Sequence, residues 1–458
     1  MSVNESINDT IAAIATASGQ GAIGIVRISG KDSLPILSKV FSTSVQKLES
    51  HCMYYGKIVE NDETVDEVMA CAMLAPRSYT AEDTVEIYAH GGVVVLNKVL
   101  NAVVNKGARL ANPGEFTKRA FLNGRINLTQ AEAVMDIISA SSDNARRAGL
   151  KQLGGGLSRR IQMLRDRLLT WIAHIELSID YPEHESEAKT AAQILSEGDE
   201  VKEALETLHK TSTVGRILRD GIKTVIVGRP NAGKSTLLNA ILSEDRAIVH
   251  EQAGTTRDVL TERAVVNGVP LLLMDTAGIR DATNPVEKIG VEKTLQVASE
   301  AELLLYVVDS GAGLSLEDKE LIAKLCDKNM IVLLNKWDLS SKINIADVQL
   351  LNINVLQIST LTGQGLDTLY ERIYELFMSG IAHNTEDQDI IMRERHRILI
   401  EKAMHHVDLA MSEISQNVPE DLVCINLKVA YIALGEVLGE EVVDDIVDKI
   451  FEEFCLGK

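Results

Sequence analysis

The feature that most limits what this chain can fold into is the run Gly228-Arg229-Pro230-Asn231-Ala232-Gly233-Lys234-Ser235. Glycines in such a run let successive backbone N–H groups curl around phosphate oxygens. The lysine reaches the β- and γ-phosphates, and the hydroxyl suits Mg2+. The buried strand expected at Lys223–Val227 leads straight into the loop, and a helix is expected to follow it. Three more segments come after it in order: Gly254-Thr255-Thr256, Asp275-Thr276-Ala277-Gly278 and Asn335-Lys336-Trp337-Asp338. A carboxylate such as Asp338 only accepts hydrogen bonds, so it suits the N1–H and N2–H2 edge of guanine and not the N1 acceptor of adenine. The ordered set implies a guanine-nucleotide domain near the middle of a longer chain.

Each segment has an expected task. Asn231, Ala232, Gly233, Lys234, Ser235 and Thr236 form the phosphate cradle. Thr255 and Thr256 belong to a switch segment that sets one hydroxyl on Mg2+ beside Ser235 and closes over the γ-phosphate. Asp275 is expected to bind magnesium through water, and the Gly278 N–H to sense the γ-phosphate; Thr276 and Ala277 lie between them. Asn335 and Lys336 brace and cover the base, with Ser359 behind it. Ras-like enzymes follow the switch glycine with a glutamine that orients the attacking water. Here Ile279 stands there, which leaves Arg280, Asp281 and Glu287 as nearby alternatives. Asn231 is a candidate ligand for a monovalent cation.

A chain of 458 residues holds roughly two to four domains. Residues 1–120 read as α+β, with strands at Ala22–Ser29, Tyr54–Val59, Val68–Leu74 and Thr84–Tyr88 and a helix over Val93–Asn105. From residue 121 to 218 the pattern is helical. It includes an expected capping box at Thr129 and Glu132 and helices over Leu157–Ile179 and Asp199–Ser212. Strands and helices alternate over 219–379, as in a doubly wound sheet, and 380–458 turns helical again. The two helical segments are expected to pack as one domain around the inserted one.

Composition narrows the function classes. The net charge of −20 argues against a chain that grips nucleic acid by itself. No run of about 18 uncharged apolar residues is present, so no membrane span is expected. The N-terminus lacks a basic and apolar leader, which makes the cytoplasm the expected compartment. Five scattered cysteines without a C-x-x-C pair argue against a disulfide framework or a zinc site.

The phosphate loop, Ile279 and Glu287 together resemble the tRNA-modification GTPases of the MnmE (TrmE) family. The likeness runs through Asp9–Ala12, Gly24–Gly30, Pro113–Thr117, Arg119–Gly124 and Ala253–Val259 to the terminal Phe454-Cys455-Leu456-Gly457-Lys458. It implies an N-terminal folate-binding and dimerisation domain, an all-α domain built from two segments, and an inserted Ras-like P-loop GTPase. Potassium-dependent pairing of G domains is implied to activate hydrolysis. Asn231, His250, Gln252 and Thr255 would fall on the potassium, within a switch stretch that also contains Glu251, Ala253 and Gly254. Glu287 would orient the catalytic water, with Arg280 supporting the switch.

The resemblance also implies a homodimer, a flavoprotein partner of the MnmG (GidA) kind carrying FAD, and tRNA reached mainly through that partner. The product would be an aminomethyl or carboxymethylaminomethyl group at C5 of a wobble uridine. Its one-carbon unit would come from a 5,10-methylene- or 5-formyl-tetrahydrofolate. Arg27, Glu86, Arg125 and Lys458 match the folate-contacting positions, and Cys455 is a candidate nucleophile. Two other classes compete. One is an RNA-binding GTPase switch in ribosome assembly, the other a folate-dependent transferase regulated by GTP.

Overall fold

The computed structural model describes residues 9–17, 19–45, 48–180, 191–244, 261–274, 298–339, 343, 354–378, 389–440, 444–452, 454 and 457. The chain divides into two compact units. The first combines Met1–Met135 with Leu153–His174 and Leu427–Lys458, and the second combines Asp136–Gln152 with Ile175–Asn426.

In the first unit a six-stranded sheet has the order β3-β4-β5-β2-β1-β6. Its strands are β1 (Ile11–Ile14), β2 (Ile23–Ser29), β3 (Met53–Glu60), β4 (Glu63–Met73), β5 (Thr84–His90) and β6 (Arg109–Leu110). All pairs are antiparallel except β1 with β6. Alternation of apolar residues along β2 and β5 sends Val26, Ile28, Val85 and Ile87 to one face. There they meet Ile36, Leu37 and Val40 of α1 (Ser33–Val40), and Leu96, Val99 and Val103 of α2 (Val93–Val104). The same alternation sends Arg27 and Glu86 to the opposite face, side by side in register.

Helices α3 (Glu115–Leu122) and α4 (Leu128–Ile138) follow the sheet. The capping box at the start of α4 lies two residues earlier than Thr129 and Glu132 suggest. Asn127 Oδ1 accepts from the Gln130 N–H at 3.0 Å, and Gln130 Oε1 accepts from the Asn127 N–H at 3.1 Å. Asparagine is as good a cap as threonine. Thr129 instead turns its hydroxyl inward to the buried Ser158 hydroxyl, 2.7 Å away. Next come α5 (Asp143–Leu153) and α6 (Gly156–Asp180).

In the second unit the sheet order is β12-β11-β10-β7-β9-β8. Strands β7 (Ile222–Gly228), β9 (Val269–Met274), β10 (Leu303–Asp309), β11 (Met330–Asn335) and β12 (Asn354–Gln357) are parallel, and β8 (Thr261–Val266) runs antiparallel to β9. Near-continuous apolar runs in β10 and β11 fit strands covered on both faces. Helices α7 (Ala191–Asp220), α8 (Lys234–Glu244), α9 (Leu316–Leu325) and α10 (Leu366–Met378) accompany this sheet. Helices α11 (Glu394–Ser415), α12 (Glu420–Leu438) and α13 (Asp444–Glu452) complete the described chain.

The two crossings into and out of the inserted domain are packed together. Val214, Ile217 and Leu218 of α7 share one core with Ile390, Met392 and the sheet residues Ile222, Leu271 and Leu305. A Cβ on Gly215 would lie 1.9 Å from the Ile391 carbonyl oxygen, and the Ile391 N–H donates to Thr211 Oγ1 at 3.1 Å. Only glycine permits that approach. Beside it the buried Asp136 carboxylate accepts from Arg393 at 2.7 Å. Among the described residues no helix is long and apolar enough to cross a membrane.

Candidate functional site

The phosphate loop stands where its sequence requires, between the C-terminal end of β7 and the N-terminus of α8. Parallel strands end there, and the open N–H groups of the helix start favour anions. Asn231 adopts the left-handed conformation with φ of 63°. The Lys234 ammonium donates to the Gly228 and Arg229 carbonyls at 2.7 and 2.8 Å, which holds its charge across the mouth of the loop. Ser235 and Thr236 are exposed on the first turn of α8.

Asn335 ties the base-recognition segment to the loop. Its amide donates to the Ala232 carbonyl at 2.8 Å, while its Oδ1 accepts from the Thr360 N–H at 3.0 Å. A Cβ on Gly233 would come within 2.1 Å of that amide nitrogen, so the contact needs glycine at 233. Lys336, also left-handed, donates to the Asn231 carbonyl at 2.9 Å and to Asp309 Oδ2 at 2.6 Å. That ammonium holds the Asp309 carboxyl below the usual carboxylate range. Asp338 is exposed, and buried Ser359 accepts from the Thr362 N–H at 3.3 Å. The Gly228–Ser235 and Asn335–Asp338 segments therefore converge at the C-terminal ends of the parallel strands β7 and β11.

Two contributors went unread in the sequence. Arg229 donates to the Gly313 carbonyl at 2.8 Å and pairs with the buried Asp318 at 2.9 Å. Asp318 also closes the Ser315 capping box of α9 and accepts from the Tyr306 hydroxyl at 2.9 Å. Burial, then that hydrogen bond, push the Tyr306 phenol far above its ordinary value. Only the capping pattern Ser315-x-x-Asp318 was visible as a local signal.

In the first unit Arg27 and Glu86 pair at 2.9 Å across β2 and β5. Glu86 Oε2 also accepts from the Tyr88 hydroxyl at 2.6 Å. Burial and Glu86 together raise the Tyr88 phenol well above its usual value. The Arg27 guanidinium lies 5.3 Å from the centre of the Tyr79 ring and 5.6 Å from that of Phe116, and it donates to the Gly457 carbonyl at 3.3 Å. Arg125 is joined through the same tyrosine: it donates to the Tyr79 carbonyl at 2.8 Å and sits 5.2 Å from the ring centre. Three of the four expected folate positions thus share one aromatic and charged cluster. Tyr79, Tyr88 and Phe116 are its unpredicted members.

Several expected residues lie outside the described ones: Arg280, Glu287 and Cys455; His250, Glu251, Gln252, Ala253, Gly254, Thr255 and Thr256; Asp275, Thr276, Ala277 and Gly278; and Lys458.

The profile of the GTP-binding protein TrmE N-terminus matches residues 10–125, and that of the MnmE helical domain matches 128–455. A protein named tRNA modification GTPase MnmE from Finegoldia magna is 45% identical over 99% of this chain and 100% of its own length. This chain belongs to the MnmE family of tRNA modification GTPases. The MnmE of Clostridioides difficile is 44% identical over 99% of this chain and all of its own. That of Streptococcus gordonii is 45% identical over 98% and 99%. Among solved structures, the G domain of the T. maritima FeoB iron transporter is 25% identical over 34% of this chain and 97% of that one. Its TM-score is 0.27. The MnmE-family layout accounts for the multidomain fold: an α+β N-terminal part, a helical domain in two segments, and a P-loop domain between them.

Proposed function

We propose that this protein hydrolyses GTP to drive modification of C5 of the wobble uridine in certain tRNAs, together with a flavoprotein partner of the MnmG kind. The observation that carries the reading is identity near 45% along the whole length of proteins named tRNA modification GTPase MnmE. The convergence of Lys234, Asn335 and Lys336 on one phosphate loop supports the GTPase part. The division at residues 120, 218 and 379, a homodimer, and tRNA held mainly through the partner belong to the same proposal.

The donor set at the loop fits the ions the reading requires. Ser235, with Thr256, would hold Mg2+; Asn231, with His250, Gln252 and Thr255, would hold K+. Cations held there would supply positive charge against the charge that develops on the transferred phosphate. The protein's own part is positional. Lys234 orients phosphate, Asp338 selects guanine, and Glu287 aligns water where Ile279 lacks the means. Arg280 supports the switch.

In the first unit, Arg27 and Arg125 beside the Tyr79 ring fit a flat heterocycle with an anionic tail, which describes a tetrahydrofolate. Glu86 keeps further lone pairs after binding Arg27 and Tyr88, so it retains acceptor capacity toward a pterin edge. Lys458 would add charge at that tail, and Cys455 is the candidate nucleophile toward the uridine ring. The folate supplies the one-carbon unit.

Mass spectrometry of wobble uridines from cells with and without this protein tests the reading. Loss of the aminomethyl-type 5-substituents is expected on deletion. Unchanged 5-substituted uridine overturns the proposal. GTP turnover in matched potassium and sodium buffers tests the cation separately, with far faster turnover expected in potassium.

A further inference from the structure

The phosphate loop is held from two flanks by residues that belong to none of the nucleotide motifs. They are Asp309, the last residue of β10, and Asp318, in the first turn of α9. On one flank Asp309 Oδ2 accepts from Lys336 at 2.6 Å, and the same ammonium donates to the Asn231 carbonyl at 2.9 Å. Asp309 Oδ1 faces the other way and accepts from the Gly311 and Ala312 N–H groups at 2.9 and 3.3 Å. One carboxylate therefore fixes its own turn with one oxygen and the loop lysine with the other. On the opposite flank Arg229 reaches the Gly313 carbonyl and Asp318. Asp318 is buried and is itself fixed by Tyr306 and Ser315, so the anchor cannot drift.

Asn231 lies between the two anchors with φ of 63°. Asparagine tolerates that conformation but does not prefer it to the right-handed one, so the neighbours must maintain it. The anchors grip its carbonyl on one side and the residue two positions before it on the other. Arg229 also lies inside the phosphate loop, where an arginine invites an arginine-finger role. Its pairing with buried Asp318 gives it a different one.

We propose that Asp309 and Arg229 are positioning residues that hold Asn231 in the conformation its cation role needs, and so set the monovalent-cation response of GTP turnover. The inference rests on the potassium reading given under Proposed function. Asp309 acts through Lys336, and Arg229 through the backbone of the loop.

Asp309→Asn is the selective test. An asparagine keeps the Oδ1 acceptor for the turn but replaces the charge opposite Lys336. The variant is expected to need about tenfold more potassium for half-maximal GTP turnover, the scale of one lost charge-assisted hydrogen bond. Its affinity for GDP, read with a fluorescent analogue in sodium buffer, is expected to change by less than about threefold. Asp309→Glu retains the charge and is expected to restore most of the potassium response, whereas a purely structural turn would suffer from both changes. Arg229→Gln should shift the potassium requirement in the same direction.

Wild-type turnover indifferent to potassium overturns both the cation reading and this inference. A potassium-responsive wild type with an unshifted Asp309→Asn overturns the positioning role alone. So does a loss of GDP affinity as large as the shift in potassium requirement.

Discussion

Asp338 is exposed at the end of the base-recognition segment, and its carboxylate is suited to a base edge that offers two donors. Asp338→Asn should weaken GTP binding about a hundredfold and improve binding of xanthosine triphosphate, whose edge offers an acceptor in place of one donor. Competition of the two nucleotides for a fluorescent analogue checks this. A second residue-scale prediction concerns acid. Burial alone would raise the carboxyls of Asp9 and Glu115, but their hydrogen bonds to Arg109, with Arg119 beside Asp9 and the Asn112 N–H at Glu115, outweigh it and lower both. A depressed folded-state pKa stabilises the protein above the unfolded value and loses that contribution as pH falls through the folded one. Denaturation midpoints should therefore hold from pH 7 to about 5 and drop below about pH 4. The drop should be smaller in Glu115→Gln, which starts less stable at pH 7.

At the scale of single elements, two helices separate local signal from packing. Asn127→Ala removes the α4 cap and should destabilise the protein by about 1 kcal/mol in a denaturant titration. Helix α7 gives the sharper case. Propensity favours alanine over glycine within a helix by about 1 kcal/mol, so Gly215→Ala ought to stabilise α7 taken alone. With 1.9 Å between a new Cβ and the Ile391 carbonyl, the backbone must move instead, and a net loss of about 1–3 kcal/mol is expected. The same contrast explains what the sequence disclosed. The strands around Arg27 and Glu86 were legible because residues two apart share a face. The capping box is ambiguous in sequence because Thr129 and Glu132 match its pattern as well as Asn127 and Gln130 do; contacts of the Thr129 hydroxyl with Ser158 and with the Asn127 side chain decide between them. The pairing of Arg229 with Asp318 left no trace, because no local periodicity links a loop residue to the first turn of a distant helix. Tyr79 and Phe116 were missed for the same reason.

For the whole molecule, the net charge of −20 bears on the proposed hold on tRNA. Affinity for nucleic acid falls by roughly 0.9 logarithmic units per neutralised phosphate on a duplex for each tenfold rise in salt. Binding of tRNA to this protein alone should be weak and depend on salt with a slope below about 3, and the proposed flavoprotein partner should steepen it. Filter binding at several salt concentrations measures both slopes. The contact between Thr211 and Ile391 carries another consequence. These residues stand 180 positions apart, yet one hydrogen bond joins them. Joining the ends of a flexible chain that long is entropically unfavourable, but the cost grows only as the logarithm of length. An inserted domain whose ends already meet removes most of that cost once it folds. In the folded chain the inserted domain thus also serves as a clasp between two stretches far apart in sequence. A chain cut at residue 221 and rejoined at residue 389 by a short linker would keep that contact without any nucleotide machinery.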